Sequence, residues 1–232
     1  MKSKPQFILA MQNGGIISEL QQGVNRIGFD QFVGLTQGLV TIREREHLEQ
    51  DPNYRQVIPY VMLAVRDKDG KALFVPYART SQSGEERLRG NVSIGFGGHV
   101  DLADVIHEDS VINLVQTIGG AVTRELQEEV NFTHGTGDHV DMPMFDGGLL
   151  IDDSNEVGKV HMGVLLTCLL PEGTVVASKE DALEILPAMS ATQLLDSGLP
   201  LENWTRIILE DIVAHSFDEE PNPEEVNEGE PA

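Results

Sequence analysis

Cysteine is almost missing: Cys168 is the only one in 232 residues. One thiol excludes an internal disulfide framework and a multi-cysteine zinc site. Its place in the apolar run GVLLTCLL makes it a small buried hydrophobe rather than a nucleophile. Basic residues are also scarce, 16 Lys and Arg against 38 Asp and Glu, for a formal charge of -22. Nucleic-acid backbones and anionic membranes repel such a chain, so neither is expected as a general partner. No apolar run approaches the ~18 residues that cross a bilayer. The N-terminal MKSKPQFILAMQ carries positive charge and a short apolar piece, but no cleavage pattern follows it. A protein of the reducing cytoplasm is the expectation.

What is present suffices for one sizeable core. Residues 1–216 are expected to form a single domain. The remainder, 217–232, is acidic, proline-containing and almost without large apolar side chains, and is expected to be a disordered tail. Residues 1–56 read as an N-terminal extension: FILAM makes a first strand, recurrent glycines then interrupt longer elements, and Phe29, Phe32 and Leu35 cover an edge of the core. A role for this extension in capping a substrate or in dimer contact is the alternative. VIPYVMLAV, from Val57, is apolar throughout, as a central strand buried on both faces should be. DKDG turns the chain and ALFVPYAR returns as a second strand, with Pro76 demanding an edge or a bulge. PMFDGGLLI, KVHMGVLLTCLL and TVVAS follow as strands. MSATQLLDSGL and WTRIILEDIVAH follow as helices, with Trp204 in a packing role.

The stretch from Ser93 to Phe132 carries the chemistry. It opens with SIGFGGHVD and closes with TRELQEEVNF, where Glu125, Glu128 and Glu129 stand at i, i+3 and i+4 and so share one side of a helix. At about 100° per residue, Val111, Val115, Ile118, Val122, Leu126 and Val130 form an apolar stripe, with Glu125 and Glu129 on its margin. Carboxylates at the rim of a buried face lose hydration and need compensation. Arg124 reaches Glu128, but one guanidinium does not neutralise three acids. A hard divalent cation, Mg²⁺ first, satisfies that spacing better than a solvated acidic face does.

Arg124-Glu125-Leu126-Gln127-Glu128-Glu129 resembles the REUxEE core of the Nudix box, and Gly97-Gly98-His99-Val100 resembles its glycine-rich start. The usual box reads GX5EX7REUXEEXGU. Three departures stand out: a longer span from Gly98 to Arg124, assigned to an insertion at 101–109; Gln116 eight residues before the arginine, where a glutamate is expected; and Asn131 in place of the last glycine. In the inserted segment Leu102, Val105 and Ile106 make a weak helical stripe, with Asp109 or Ser110 as cap of the next helix. DPNYRQVIPYVML, DDSNEVGKVHMGVL and LENWTRIIL are similar to segments of a MutT-like Nudix branch described as predicted phosphoesterases.

The resemblance implies an α/β/α sandwich with a mixed β-sheet. It also implies metal-dependent hydrolysis of the pyrophosphate bond in a nucleoside diphosphate linked to another moiety. Mg²⁺ or Mn²⁺ would sit on Glu125, Glu128, Glu129 and the Gly98 carbonyl. Arg124 would orient the glutamates, and Glu128 or Glu129 would take the proton from water. Outside the box, Arg79 is a candidate phosphate clamp, His161 a candidate substrate contact, and Glu180 a candidate base or extra ligand. Arg79 has a plainer reading as a solvated arginine and His161 as a satisfied core histidine. A homodimer follows from family habit. The rival expectation is a Nudix-like module that binds a nucleotide or a protein without cleaving, supported by Gln116 and Asn131. A charge-based DNA mimic rests on net charge alone.

Overall fold

The computed structural model describes residues 5–82, 88–133 and 144–216. The expected tail lies outside these residues. In chain order the strands are β1 (Phe7–Gln12), β2 (Gly23–Asn25), β3 (Val40–Glu44), β4 (Tyr54–Arg66), β5 (Ala72–Phe74), β6 (Tyr77–Arg79), β7 (Val92–Ser93) and β8 (Gly95–Phe96). They continue with β9 (His107–Glu108), β10 (Val111–Ile112), β11 (Val130–Thr133), β12 (Met144–Ile151), β13 (His161–Leu169), β14 (Val175–Ser178) and β15 (Leu183–Ile185). The α-helices are α1 (Phe29–Thr36), α2 (Arg45–Leu48), α3 (Leu114–Glu129), α4 (Ala191–Asp196) and α5 (Asn203–Ser216).

The main sheet is mixed, in the order β2-β12-β13-β4-β1-β3, with β5 and β8 also paired to β4. β4 is its centre. It runs parallel to β13 from Gln56 opposite His161 to Ala64 opposite Leu169, and antiparallel to β1 on its other side. A strand buried on both faces has no use for polar alternation, which is why IPYVMLAV reads as one apolar run. On one face lie Val57, Val61 and Leu63 with α3. On the other lie Tyr60 and Met62 with α4 and α5, through Leu194, Ile208 and Leu209. Helices on both faces of a mixed sheet give the three layers expected.

Several local expectations change. ALFVPYAR is two strands: β5 pairs with β4, while β6, beyond Pro76, pairs with β7 and β15 in a separate sheet. Pro76 has no N–H to continue the first ladder, so the chain changes sheets there. Segment 101–109 is not helical beyond a short 3-10 turn at Leu102–Asp104. A hairpin, β9 and β10, follows, with Asp109 (φ 48) and Ser110 (φ 67) as its two turn residues. The cap of α3 is therefore Asn113, whose side chain accepts from Gln116 N–H at 3.0 Å. Val111 and Val115 are exposed, and the buried face of α3 is Leu114, Thr117, Ile118, Ala121, Val122 and Leu126. α3 runs unbroken through Gly119 and Gly120, and a Cβ on Gly119 would meet open space. Phe32 is buried and Phe29 packs on the core, but Leu35 is exposed.

Candidate functional site

The glycines of Gly95-Phe96-Gly97-Gly98 are there because something lies against each. A Cβ on Gly95 would come within 1.9 Å of the Tyr60 ring, and one on Gly97 (φ 142) within 2.1 Å of the Pro59 carbonyl oxygen. One on Gly98 would stand 2.7 Å from Glu125 Oε1. The loop is thus pressed flat between β4 and the last turns of α3, with Gly98 against a box carboxylate.

Arg124 is the hub of that turn. Its Nε and Nη2 donate to Asp104 at 2.9 and 2.7 Å, its Nη1 to Glu125 at 2.7 Å and to Glu128 at 3.3 Å, and its Nη2 to the His99 carbonyl at 3.0 Å. Asp104 is the sixth residue after Gly98, the place that GX5E assigns to an acid. Gln116 is not at the site: it is exposed in the first turn of α3. Asp104, not Gln116, is therefore the acid that meets Arg124, and the extra chain falls after it. Nineteen residues separate Asp104 from Arg124 where the motif has seven, and the β9–β10 hairpin takes up the difference. Asn131 needs no left-handed conformation either. α3 passes straight into β11 through Val130 at φ -134, and Asp109 and Ser110 are the sole non-glycine residues with positive φ among those described.

The three glutamates have different surroundings. Glu128 is half exposed. Burial raises Glu125 above the usual carboxylate range, against the pull of Arg124. Glu129 is pushed up to about 8, first by burial and then by the charge of Glu125, with Arg79 pulling the other way and Glu180 adding to the rise. Its Oε2 is buried without a hydrogen-bond partner. Among the described residues no three His, Cys, Asp or Glu side chains converge into a ready-made cage. Two of the acids are turned to Arg124 instead. The donors still suit a hard divalent cation: they are oxygens, one is orphaned, and partial burial with the charge of neighbouring carboxylates raises the proton affinity of Glu125 and Glu129.

Beside the Gly97–Gly98–His99 corner opens a cavity of about 530 Å³. Its floor is the β4 and β13 face with Ile58, Tyr60 and His161; Asn155, Val157 and Gly158 form one wall, and Glu202, Asn203 and Trp204 another. A Cβ on Gly163 would lie 3.2 Å from the Trp204 ring, so that glycine lets the indole down onto the sheet. Arg79 lines the cavity with its Nε on Glu202 at 2.7 Å. Tyr77 and Glu202 hold Arg79 charged against its burial. His161 is buried with Nδ1 2.7 Å from the Val157 carbonyl. Burial, with Arg45 and His161 alongside, pushes His99 down to about 3.

The structure thus brings Gly98, Arg124, Glu125, Glu128 and Glu129 together, and puts Arg79 and His161 in the adjoining cavity. Glu180 is exposed and does not line it; it acts on Glu129 through charge alone. Sequence reasoning missed Asp104, although counting six from Gly98 would have found it. It also missed Arg45 and Glu49, which bring the N-terminal extension into the cavity wall. No local pattern marks them, because α2 reaches the cavity only through the β1–β3 and β1–β4 pairings. Trp204 was expected to pack, and it does pack, edge-on to Tyr60, but it also lines the cavity.

No family model matches the chain. Protein YmaB of Bacillus subtilis (strain 168) is 30% identical over 168 residues, 72% of this chain and 75% of YmaB. The crystal structure of Tm1382, named as a candidate Nudix hydrolase, aligns with a TM-score of 0.67 and 24% identity over 90% of this chain and 98% of that one. The NUDIX domain of Shewanella oneidensis NrtR, solved with ADP ribose, is more distant, with a TM-score of 0.44 and 14% identity over 75% and 99%. Among the described residues no helix is long and apolar enough to cross a membrane.

Proposed function

Because this chain belongs to the same family as protein YmaB and has the Nudix fold, we propose that it is a divalent-metal-dependent hydrolase. It cleaves the pyrophosphate bond of a nucleoside diphosphate linked to another moiety. The observation that carries this reading is Glu129, part-buried, with Oε2 buried and unpartnered, beside the glycine corner of a cavity large enough for such a ligand. Glu125, Glu128, Glu129 and the Gly98 carbonyl would hold Mg²⁺ or Mn²⁺. Bound there, the ion supplies charge neutralisation for the phosphate oxygens and acidifies water.

The chain's own residues do the rest. Arg124, anchored on Asp104 and the His99 carbonyl, keeps Glu125 against Gly98. Glu129 takes the proton of the attacking water, a task suited to a carboxylate whose proton affinity lies near working pH. Water oxygen attacks one phosphorus, the bridging P–O bond breaks, and the proton ends on the leaving phosphate. Arg79 lines the same cavity, near enough to Glu129 for their charges to act on each other, and would meet that charge.

A binding module without turnover is the second reading. The observation favouring it is that Arg124 already holds Glu125 and Glu128. A panel of NDP-sugars, dinucleotides, ADP-ribose, dNTPs and capped RNA separates the two. At least one compound should be cleaved with Mg²⁺ or Mn²⁺, and Glu129→Gln should slow that cleavage by about 100-fold or more with the fold intact. Saturable binding with no turnover in any divalent metal would overturn the hydrolase.

A further inference from the structure

Two histidines in the cavity have no part in the hydrolysis described above. His161 stands opposite Gln56 across the parallel β4–β13 pair, and His99 follows the glycine corner. Three contacts fix where their protons are. The His161 Nδ1 lies 2.7 Å from the Val157 carbonyl oxygen. A carbonyl only accepts, so Nδ1 is the N–H and Nε2 carries the lone pair. His99 Nε2 lies 3.3 Å from that lone pair and 2.8 Å from Gln56 Oε1. Both neighbours accept, so His99 Nε2 is the donor, and its Nδ1 is left as a bare lone pair.

Turning the Gln56 amide round would set two imidazole lone pairs against each other at 3.3 Å. The orientation with Oε1 toward His99 avoids this, although it leaves Gln56 Nε2 buried without a partner. His99 Nδ1 makes no hydrogen bond to any described residue, and the ring lines the cavity next to Gly98. His99 is part-buried and Nδ1 is open to the cavity, so an acceptor without a protein partner stands where a donor on a bound ligand can reach it.

We propose that His99 and His161 form a tautomer-locked pair that offers the His99 Nδ1 lone pair to a sugar hydroxyl of the bound nucleotide, so that the site prefers ribo over deoxyribo ligands. The hydroxyl assignment rests on the hydrolase reading: with the diphosphate at Gly98 and the box glutamates, the sugar joined to it is the moiety that reaches the next residue, His99. A site built around a polar group rejects the analogue lacking the hydroxyl, because that analogue leaves the acceptor unsatisfied.

The test has two arms. In the first, ¹⁵N–¹H spectra of the full chain without ligand are expected to show the His99 proton on Nε2 and the His161 proton on Nδ1. His161→Phe should turn His99 into a tautomer mixture, which a merely structural role would not do. A wild-type His99 protonated at Nδ1 overturns the lock. In the second, calorimetry with ADP, GDP, UDP and CDP and their 2′-deoxy and 3′-deoxy forms, all with Mg²⁺, should give at least one ribo form that binds about 10-fold or more tighter than a deoxy counterpart. His99→Phe should reduce that ratio to under about 3-fold. If every ribo and deoxy pair binds alike, or none binds, the ribose preference is overturned. Failure of the hydrolase reading is a different result: binding that discriminates, with no turnover in any metal. Should either variant fail to fold, the wild-type spectra and the wild-type ratios decide by themselves.

Discussion

Glu129 holds a proton more tightly folded than unfolded, at about 8 against an ordinary 4.5. The folded state therefore binds the extra proton between these values, and stability falls as pH rises through that window. Without metal, Glu129→Gln should melt about 3–8 °C above the wild type at pH 8.5 and close to it at pH 4.5, by thermal unfolding followed by circular dichroism. An equal pH slope in both proteins would refute the buried-carboxylate account. Gly98 is tested separately. The Cβ of Gly98→Ala would displace the flexible end of Glu125 rather than backbone, so the melting temperature should stay within about 3 °C while Mg²⁺ affinity drops about 10-fold, measured by calorimetry. Unchanged Mg²⁺ affinity would remove Gly98 and Glu125 from the metal site.

Among the elements, the β9–β10 hairpin is the one inserted into an otherwise familiar arrangement, between Asp104 and α3. Its two turn residues, Asp109 and Ser110, both sit at positive φ, where asparagine and glycine cost less. Asp109→Asn with Ser110→Gly should stabilise the protein by about 0.5–1 kcal/mol in denaturant unfolding. Any loss of stability would mean that the turn is not of this type. The helical stripe read for 102–106 failed because a few apolar residues at helical spacing cannot be told from a 3-10 turn followed by a two-residue hairpin. Val111 and Val115 failed for a related reason: once α3 begins at the Asn113 cap, its buried face is reset by the sheet beneath it.

For the molecule as a whole, a cation held by a site that exists only when folded adds stability by mass action, about 2.7 kcal/mol at a hundredfold excess over Kd. Saturating Mg²⁺ should therefore raise the midpoint by about 5–10 °C, reversibly with EDTA, and should do so far less in Glu129→Gln. No shift with Mg²⁺ or Mn²⁺ at pH 7.5 would count against a metal held on α3. The acidic surplus of the chain works in the same direction, since a divalent cation relieves repulsion among like charges.

The sequence alone determined the central strand, the main core-forming segments and the acid cluster, because local spacing is enough to place Glu125, Glu128 and Glu129 on one side of a helix and an unbroken apolar run at the middle of a sheet. It also held Asp104 in plain view at six residues from Gly98, hidden only by the expectation that the insertion came first. Tertiary structure decided what spacing does not encode. It set Arg45 and Glu49 of the N-terminal extension at the cavity, laid Trp204 over Gly163, and left Oε2 of Glu129 buried without a partner. Burial and charge at a carboxylate come from residues far away in the chain, here Gly97, Arg79 and Glu180, which only the closed fold brings within reach.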